Sequence, residues 1–260
     1  MARDKLAALE RRRERECRLD PRFALRDLDE AETWVKERGV ITIALTAELY
    51  LPSLFVACHE EPYEAGKSGF AQWPKTRWWW PGELAGRDGI VELKILRGRT
   101  VLLSEPVARL VAPLAREALD AAQAGTSGES VRRVVEHLAS AGPTLVEELR
   151  EELALPAAEL RRVRAALERT AAVVSRGARI PTNEGGHRHT SELLRWDQLF
   201  RETRRGGIDD LVVAAVRSAV VAPERQVARW FAWPVDVDAL VAAGRLARLD
   251  GYVAIPASGS

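Results

Sequence analysis

Residues 130–170, SVRRVVEHLASAGPTLVEELREELALPAAELRRVRAALERT, contain three helical patterns separated by two breaks. The first pattern, 130–141, is amphipathic and ends at Gly142-Pro143, and Thr144 caps the second. Pro156 separates the second pattern from the third, 157–170. Residues 172–179 and 186–191 then form a predicted hairpin. Three helices followed by a two-stranded hairpin are the order of a winged helix, a variant of the helix-turn-helix.

The same order recurs at the C-terminus and, more loosely, in the N-terminal third. Helical patterns at 209–220, 223–233 and 235–243 precede two apolar strands around Asp250-Gly251, a dipeptide that strongly favours a hairpin turn. In the N-terminal third, helices are predicted over 29–38 and 51–60, and IVELKILRGRTVLLS, residues 90–104, predicts two antiparallel strands joined at Arg97-Gly98-Arg99.

The predicted fold class is therefore α+β, mainly α, with tandem winged-helix modules packed as one body. The predicted divisions are a charged N-terminal helix over 1–19 and modules over 20–125, 126–205 and 206–260. The N-terminal helix carries a cluster of arginines, and it is interpreted either as a solvated cap on the fold or as an arm that contacts nucleic acid.

The composition is that of a folded, soluble protein. Of the 260 residues 47% are apolar, and 39 basic side chains stand against 38 acidic ones. Apolar runs fall short of the ~20 residues that cross a bilayer, and the N-terminus lacks a signal-peptide core, so we expect a cytoplasmic protein without a membrane partner. Cys17 and Cys58 are too few for a disulfide framework or a cysteine zinc site, and we expect reduced packing residues.

Arginine supplies almost all of the basic residues, because lysine occurs only at positions 5, 36, 67, 75 and 94. A guanidinium suits bidentate contacts to phosphates and base edges. The other explanation of this bias is a GC-rich genome, so the distribution of the arginines has to decide between the two.

Basic side chains concentrate in the third helix of the middle module and in the hairpin after it. In a winged helix the third helix enters the major groove and the wing reaches phosphates or the minor groove. The alternative is a solvated helix face and a surface loop. The predicted DNA contacts are Lys75, Arg77, Arg97, Arg99, Arg161, Arg162, Arg164, Arg169, Arg176, Arg179, His187, Arg188, His189, Arg245 and Arg248.

The C-terminal module is expected to be mainly structural, because its third helix carries Asp236 and Asp238 and no cation. Trp78, Trp79 and Trp80 follow two basic residues, and aromatic faces beside cations suit unpaired bases. Tryptophans more often pack into a core, and we expect at least two of these three to be buried.

Motifs for chemistry are scarce in this sequence. It has no phosphate-binding Walker loop, no dinucleotide glycine motif, no metalloprotease motif and no nucleophile elbow. His187 and His189 would lie on one side of a strand, but a zinc site needs further ligands that the neighbouring sequence does not offer. We expect no metal and no cofactor.

Four short strings resemble segments of the AlkZ/YcaQ family of tandem winged-helix DNA glycosylases and their relatives. They are GVITIALT (39–46), LPSLF (51–55), KTRWWW (75–80) and ARWFAW (228–233). As an order of elements, the resemblance covers nearly the whole chain. It implies a C-shaped array of winged helices around duplex DNA that excises alkylated or crosslinked bases without a metal or cofactor.

The family's glycosylases place a Gln-x-Gln or Gln-x-Asp pair after the first helix to position the hydrolytic water, and the matching positions here are Thr42 and Ala44. Neither side chain is a general base. We therefore expect a monomer that binds double-stranded DNA in repair or lesion recognition and has little excision activity, because Thr42 and Ala44 lack the catalytic chemistry of the family. One alternative is an active glycosylase in which Glu48 replaces the general base, with Glu37 and Glu83 as weaker candidates. The second alternative is a regulatory or protein-interaction module.

Overall fold

The structure is a computed structural model that describes residues 2–44, 49–61, 72–181, 186–200 and 206–257. Over these residues the chain is α+β, and its strands form three small antiparallel sheets of three strands each. Each sheet is built by the same order of elements: a helix, a short strand, two further helices and a hairpin. In each sheet the second strand of the hairpin lies in the middle.

The first repeat follows helix α1 (Ala2–Glu16) and a 3-10 helix (Pro21–Phe23). The Asp27 carboxylate accepts a hydrogen bond from the backbone amide of Glu30 over 2.8 Å and thereby caps the first helix of the repeat, which ends at Gly39 with a φ of 82°. The elements of the repeat are α2 (Leu28–Arg38), β1 (Val40–Thr42), α3 (Leu54–Ala57), α4 (Trp80–Ala85), β2 (Ile90–Leu96) and β3 (Arg99–Ser104).

The middle repeat follows α5 (Glu105–Ala108), a 3-10 helix (Arg109–Val111) and α6 (Ala112–Gln123). Its elements are α7 (Glu129–Ala141), β4 (Thr144–Leu145), α8 (Val146–Glu152), α9 (Ala157–Arg169), β5 (Val173–Pro181), β6 (His187–Arg195) and the short helix α10 (Trp196–Leu199). The apolar faces of α7 and α9 and the base of the hairpin share one core, which includes Val134, Leu138, Leu160, Val163, Leu167, Val173 and Leu193.

The third repeat consists of α11 (Ile208–Ala219), β7 (Val221–Pro223), α12 (Glu224–Val227), α13 (Val237–Ala242), β8 (Ala247–Leu249) and β9 (Tyr252–Ala254). Two buried hydrogen bonds join it to the first repeat. The Ser218 hydroxyl donates to the Val40 carbonyl over 2.6 Å, and the Trp230 indole N–H donates to the Leu49 carbonyl over 2.6 Å. The first and third repeats are therefore packed together.

The chain forms two compact units. Unit 1 comprises Met1–Val91, Thr100–Ala108 and Ile208–Ser260, and unit 2 comprises Glu92–Arg99 and Arg109–Gly207. Unit 1 contains the third repeat and most of the first, whereas unit 2 contains the middle repeat and the tip of the β2–β3 hairpin. The module boundaries that the sequence suggests stay predictions.

The predicted hairpins and the helices of the middle repeat are confirmed, but the predicted cap is wrong: Thr144 lies in β4, its hydroxyl donates to the Gly142 carbonyl, and α8 begins at Val146. The helical patterns at 130–141 and 157–170 correspond to α7 and α9, and the hairpin after them is longer than predicted. The turns Arg97-Gly98 and Asp250-Gly251 have positive φ at every residue, between 52° and 79°, which matches the type I′ geometry of tight hairpins.

Two predicted helices are much shorter in the structure. The pattern at 223–233 forms a helix only over Glu224–Val227, because Trp230 turns into the core to reach Leu49. The pattern at 51–60 forms a helix only over Leu54–Ala57. There the backbone amide of Thr42 donates to the Pro52 carbonyl over 2.9 Å and holds the start of the segment extended beside β1.

In the part of the chain that the structure describes, no helix is both long enough and apolar enough to cross a membrane.

Candidate nucleic-acid interface

Helix α9 presents a basic surface opposite its buried side. Leu160, Val163 and Leu167 face the core of the middle repeat, whereas Arg161, Arg162 and Arg169 are exposed. The spacing of positions 161, 165 and 169 places them in one stripe along the helix. Residues 165 and 166 are exposed alanines, and their small side chains leave the surface between the arginines open.

The register of the β5–β6 hairpin separates its basic residues into two faces. Arg179 pairs with His189, and Pro181 with His187, so Arg179, His187 and His189 lie on one face. Ser175 and Ser191 lie on that same face, and their hydroxyl oxygens accept hydrogen bonds from Arg164 of α9 over 3.0 and 3.1 Å. The face with Arg179 and the two histidines is therefore the face that α9 packs against.

Arg176 and Arg188 lie on the opposite face of the hairpin. Arg188 pairs with Glu147 of α8 at 3.4 Å, and Thr190 donates to the same carboxylate over 2.5 Å. A hydrogen bond from the Thr190 side chain and one from the backbone amide lower the pKa of Glu147, and the nearby positive charge of Arg188 lowers it further. An acidic partner thus reduces the positive charge on this face.

Arg164 belongs to a buried ionic network at the base of the hairpin. Its Nε donates to Glu168 over 2.8 Å, and Lys94 Nζ donates to both oxygens of Glu168 over 2.8 and 2.9 Å. Ser175 also donates to Glu168, whose carboxylate is only 7% exposed. Burial raises the pKa of Glu168, but the bonds from Lys94, Ser175 and Arg164 outweigh burial and hold it below its ordinary value. Glu168 is thus a fixed anion among three donors.

The same network anchors the turn that carries Arg97 and Arg99. Lys94 lies on β2 three residues before Arg97, and its bonds to Glu168 join this hairpin to α9 within unit 2. Arg97 and Arg99 are both exposed. Glu92, which also lines the small gap beside Lys94 and Glu168, has its pKa raised by burial.

The remaining predicted contacts lie in unit 1, and most of them are engaged with neighbouring groups. Arg245 pairs with Asp210 at 2.5 Å. Arg248 pairs with Glu224 at 2.7 Å and with Asp238, whereas Lys75 is exposed in a turn. Both predicted arginine contacts of the C-terminal repeat are therefore engaged in ion pairs, whereas Arg161, Arg162 and Arg169 of unit 2 are exposed on one helix.

Arg77 is buried and serves to anchor its own segment. Its guanidinium donates to the Cys58 carbonyl over 2.6 Å, pairs with Glu60 and lies over the Trp80 ring, 5.2 Å from the centroid. Trp80 is buried, but Trp78 and Trp79 are 59% and 43% exposed. The expectation that at least two of the three tryptophans are buried is wrong, because Arg77 and Trp80 anchor the segment from either end and leave the two indoles between them outside.

The two positions that match the family's catalytic pair differ in their surroundings. Thr42 is 2% exposed, and its hydroxyl donates to the Pro52 carbonyl over 3.1 Å. Ala44 is exposed and has no polar side-chain atom. Glu48, the substitute general base suggested by the sequence, lies outside the described residues.

The two cysteines are buried, and burial raises the pKa of Cys17 to about 11 and that of Cys58 to about 12. Neither thiol is a nucleophile at neutral pH. Within the described ranges, no group of three or more His, Cys, Asp and Glu side chains is placed to hold a metal ion.

Sequence reasoning missed the roles of Lys94 and Glu168. The spacing of Arg164 and Glu168, four residues apart on a helix, is a visible signal for an ion pair. The contribution of Lys94, 74 positions away in the chain, leaves no local signal.

Comparison with protein-family models, with curated proteins and with solved structures gives no match for this chain.

Proposed function

We propose that the three repeats are winged-helix modules and that the middle one binds duplex DNA. The order helix, strand, helix, helix, hairpin, with the last strand in the middle of the sheet, supports the first part of the proposal. In this arrangement α9 is the helix that enters the major groove, and the β5–β6 hairpin is the wing.

One observation carries the DNA-binding part. Exposed arginines at 161, 162 and 169 of α9 lie on the same module as Arg179, His187 and His189, which share the hairpin face that α9 packs against. Arginine on a helix of this kind contacts phosphates and base edges. The exposed alanines between the arginines allow a duplex to approach closely.

The turn at Arg97 and Arg99 extends this surface. Because Lys94 and Glu168 join its hairpin to α9, the turn is held in a fixed position relative to the helix within unit 2. Contacts to the DNA backbone fix register and orientation without reading sequence, which is the role proposed for these two arginines.

The second part of the proposal is that the protein has little excision activity. This part rests on the resemblance to the glycosylase family. Hydrolysis of an N-glycosidic bond requires an oriented water and an acceptor that stabilises the oxocarbenium-like centre. Thr42 is 2% exposed and its hydroxyl is bonded to the Pro52 carbonyl inside the fold, and Ala44 has no polar side-chain atom. General acid–base assistance is worth about 10²–10⁴-fold, so its loss leaves DNA binding with weak base release.

Binding is tested by fluorescence anisotropy with a short labelled duplex at low salt. The variant is R161Q/R162Q/R169Q, and Arg164 stays in place because it supports the fold. Each lost contact is expected to cost about 0.5–1 kcal/mol, so the affinity falls roughly ten- to a hundredfold. The matched control R116Q/R217Q/R225Q removes three exposed arginines elsewhere and is expected to bind like the wild type. Equal affinity of the two variants contradicts the assigned surface.

Catalysis is tested by base release from alkylated and crosslinked duplexes. Little or no release supports the binding protein. Release that is lost in E48Q supports the Glu48-dependent alternative, whereas robust release that survives E48Q contradicts both. Co-purification with nucleic acid, read from the ultraviolet absorbance ratio, separates a DNA-binding protein from a module that uses the same basic face for an acidic protein partner.

A further inference from the structure

A groove lies at the edge of the third repeat, within unit 1. It is bounded by the start of α12, by the segment that leads into α13 and by the β8–β9 turn, and its volume is about 960 Å³. Cavities that hold small ligands or a few side chains measure about 300–1,000 Å³. The groove is therefore large enough for a few side chains of an extended segment.

The lining combines an apolar part with an acidic rim. Apolar contact is offered by Pro223, Pro234, Val235, Val237 and Tyr252, and the rim carries Glu224, Asp236, Asp238 and Asp250. The cations at this place are Arg225, which lines the groove, and Arg248, which pairs with Glu224 and Asp238. Four carboxylates thus face two guanidinium groups, and negative charge is in excess.

Three of the four carboxylates already accept hydrogen bonds from within the protein. One oxygen of Asp236 caps α13 by accepting from the Ala239 amide over 2.9 Å, and both oxygens of Glu224 accept from Arg248. Asp238 and Asp250 are exposed. One oxygen of Asp238 is paired with Arg248, so the second oxygen of Asp238 and the Asp250 carboxylate are the acceptors placed to meet a cation that enters from solvent.

The charge at this place is opposite to that of the middle repeat. There the third helix and the hairpin carry exposed arginines, whereas here the third helix, α13, carries Asp238 and the hairpin turn carries Asp250. Phosphates are repelled by such a surface, and a cationic segment is attracted to it.

We propose that this groove docks an extended basic peptide segment of a partner protein, with its arginine or lysine side chains at Asp238 and Asp250 and its apolar side chains against Pro223, Val235 and Tyr252. The proposal commits to a cationic partner because an acidic rim around an apolar floor is complementary to alternating basic and apolar side chains. It does not depend on DNA binding, since none of the lining residues belongs to unit 2.

The test is anisotropy of a short labelled peptide that alternates arginine and valine, with a glutamate–valine peptide as the charge control. Wild type is expected to bind the first through this groove, with affinity that falls as salt rises, whereas any binding of the second takes place on the basic surface of unit 2 and is not changed by D238N/D250N. D238N/D250N is expected to weaken binding about fivefold or more, and it keeps the turn because Asn-Gly is as suitable as Asp-Gly. The matched control E37Q/D88N removes two exposed carboxylates elsewhere in unit 1 and is expected to leave binding unchanged.

Amide NMR shifts of the wild type provide a readout that needs no variant. Peptide addition is expected to move the signals of Ala228, Asp238 and Gly251. The proposal is overturned if the arginine peptide does not bind, if D238N/D250N leaves its affinity unchanged, or if the shifts occur elsewhere. It is also overturned by self-association of the protein that D238N/D250N abolishes, which would make a second copy the occupant.

Discussion

Replacing Glu168 with glutamine removes the anion from the network at the base of the β5–β6 hairpin. Glu168 is 7% exposed and accepts from Lys94, Arg164 and Ser175. Glutamine keeps the shape but cannot balance two cations, and its amide group offers donors where the network already supplies donors. The expected result is a loss of stability in unit 2.

The size of the loss follows from the burial of the three charged groups. Removing one partner of a buried ion pair costs about 3–5 kcal/mol. The side chains of Lys94 and Arg164 remain 24% and 22% exposed, so water solvates the two cations in part after Glu168 is neutralised. The expected loss in the free energy of unfolding is therefore roughly 2–3 kcal/mol. With a urea slope of about 2 kcal/mol per M, the unfolding midpoint falls by about 1 M.

The assay is urea unfolding followed by circular dichroism at neutral pH and in acid. Because the folded-state pKa of Glu168 lies below the ordinary value of 4.5, its stabilising effect is complete above that value and is lost as the pH falls through the folded pKa. The difference in the free energy of unfolding between wild type and E168Q is therefore expected to shrink below about pH 4.5.

The control E136Q, in an exposed pair with Arg132 on α7, is expected to lower the free energy of unfolding by less than about 1 kcal/mol. An E168Q protein as stable as wild type at neutral pH, or a difference that persists in acid, refutes the reasoning.

Three further predictions concern single positions. Since burial raises the pKa of Cys17 to about 11 and of Cys58 to about 12, neither thiol is expected to react with an aromatic disulfide reagent at pH 8 until urea unfolds the protein; rapid reaction of the native protein contradicts this. Replacing buried Trp80 with alanine is expected to lower the free energy of unfolding by about 3–5 kcal/mol, and the same change at exposed Trp78 by less than about 0.5; similar losses would show the burial to be misassigned. Asp250 has a φ of 52°, so D250V is expected to cost about 1–2 kcal/mol and D250N almost nothing, and thermal unfolding of the two variants checks the order.

Local patterns were sufficient for the hairpins and for the helices of the middle repeat. Asp250-Gly251 and Arg97-Gly98 take the positive φ that their turns require, and Gly142-Pro143 separates α7 from the next strand. The helices predicted over 51–60 and 223–233 were too long, because contacts from distant residues override the local pattern. The hydrogen bond from the Thr42 amide to the Pro52 carbonyl keeps residues 52–53 extended, and the hydrogen bond from the Trp230 indole to the Leu49 carbonyl places Trp230 in the core.

The sequence predicts which basic residues are candidates for the interface, but it does not predict which of them lie exposed on the same face. The sequence identifies the arginines, but it does not show that Arg77 and Arg164 are bonded within the protein. Nor does it show that the strand register places Arg179 and Arg188 on opposite faces of one hairpin. These assignments depend on which residues pair across the sheet, and that is fixed by packing over long separations in the chain.

The salt dependence of duplex binding tests the proposed interface most directly. For a protein that neutralises DNA phosphates, the logarithm of the binding constant falls with the logarithm of the salt concentration, with a slope of about −0.9 per phosphate contact. If Arg161, Arg162 and Arg169 each contact one phosphate, R161Q/R162Q/R169Q is expected to have a slope shallower by about 2.7, and R116Q/R217Q/R225Q the slope of the wild type. A slope that is the same for wild type and both variants would contradict DNA binding through α9.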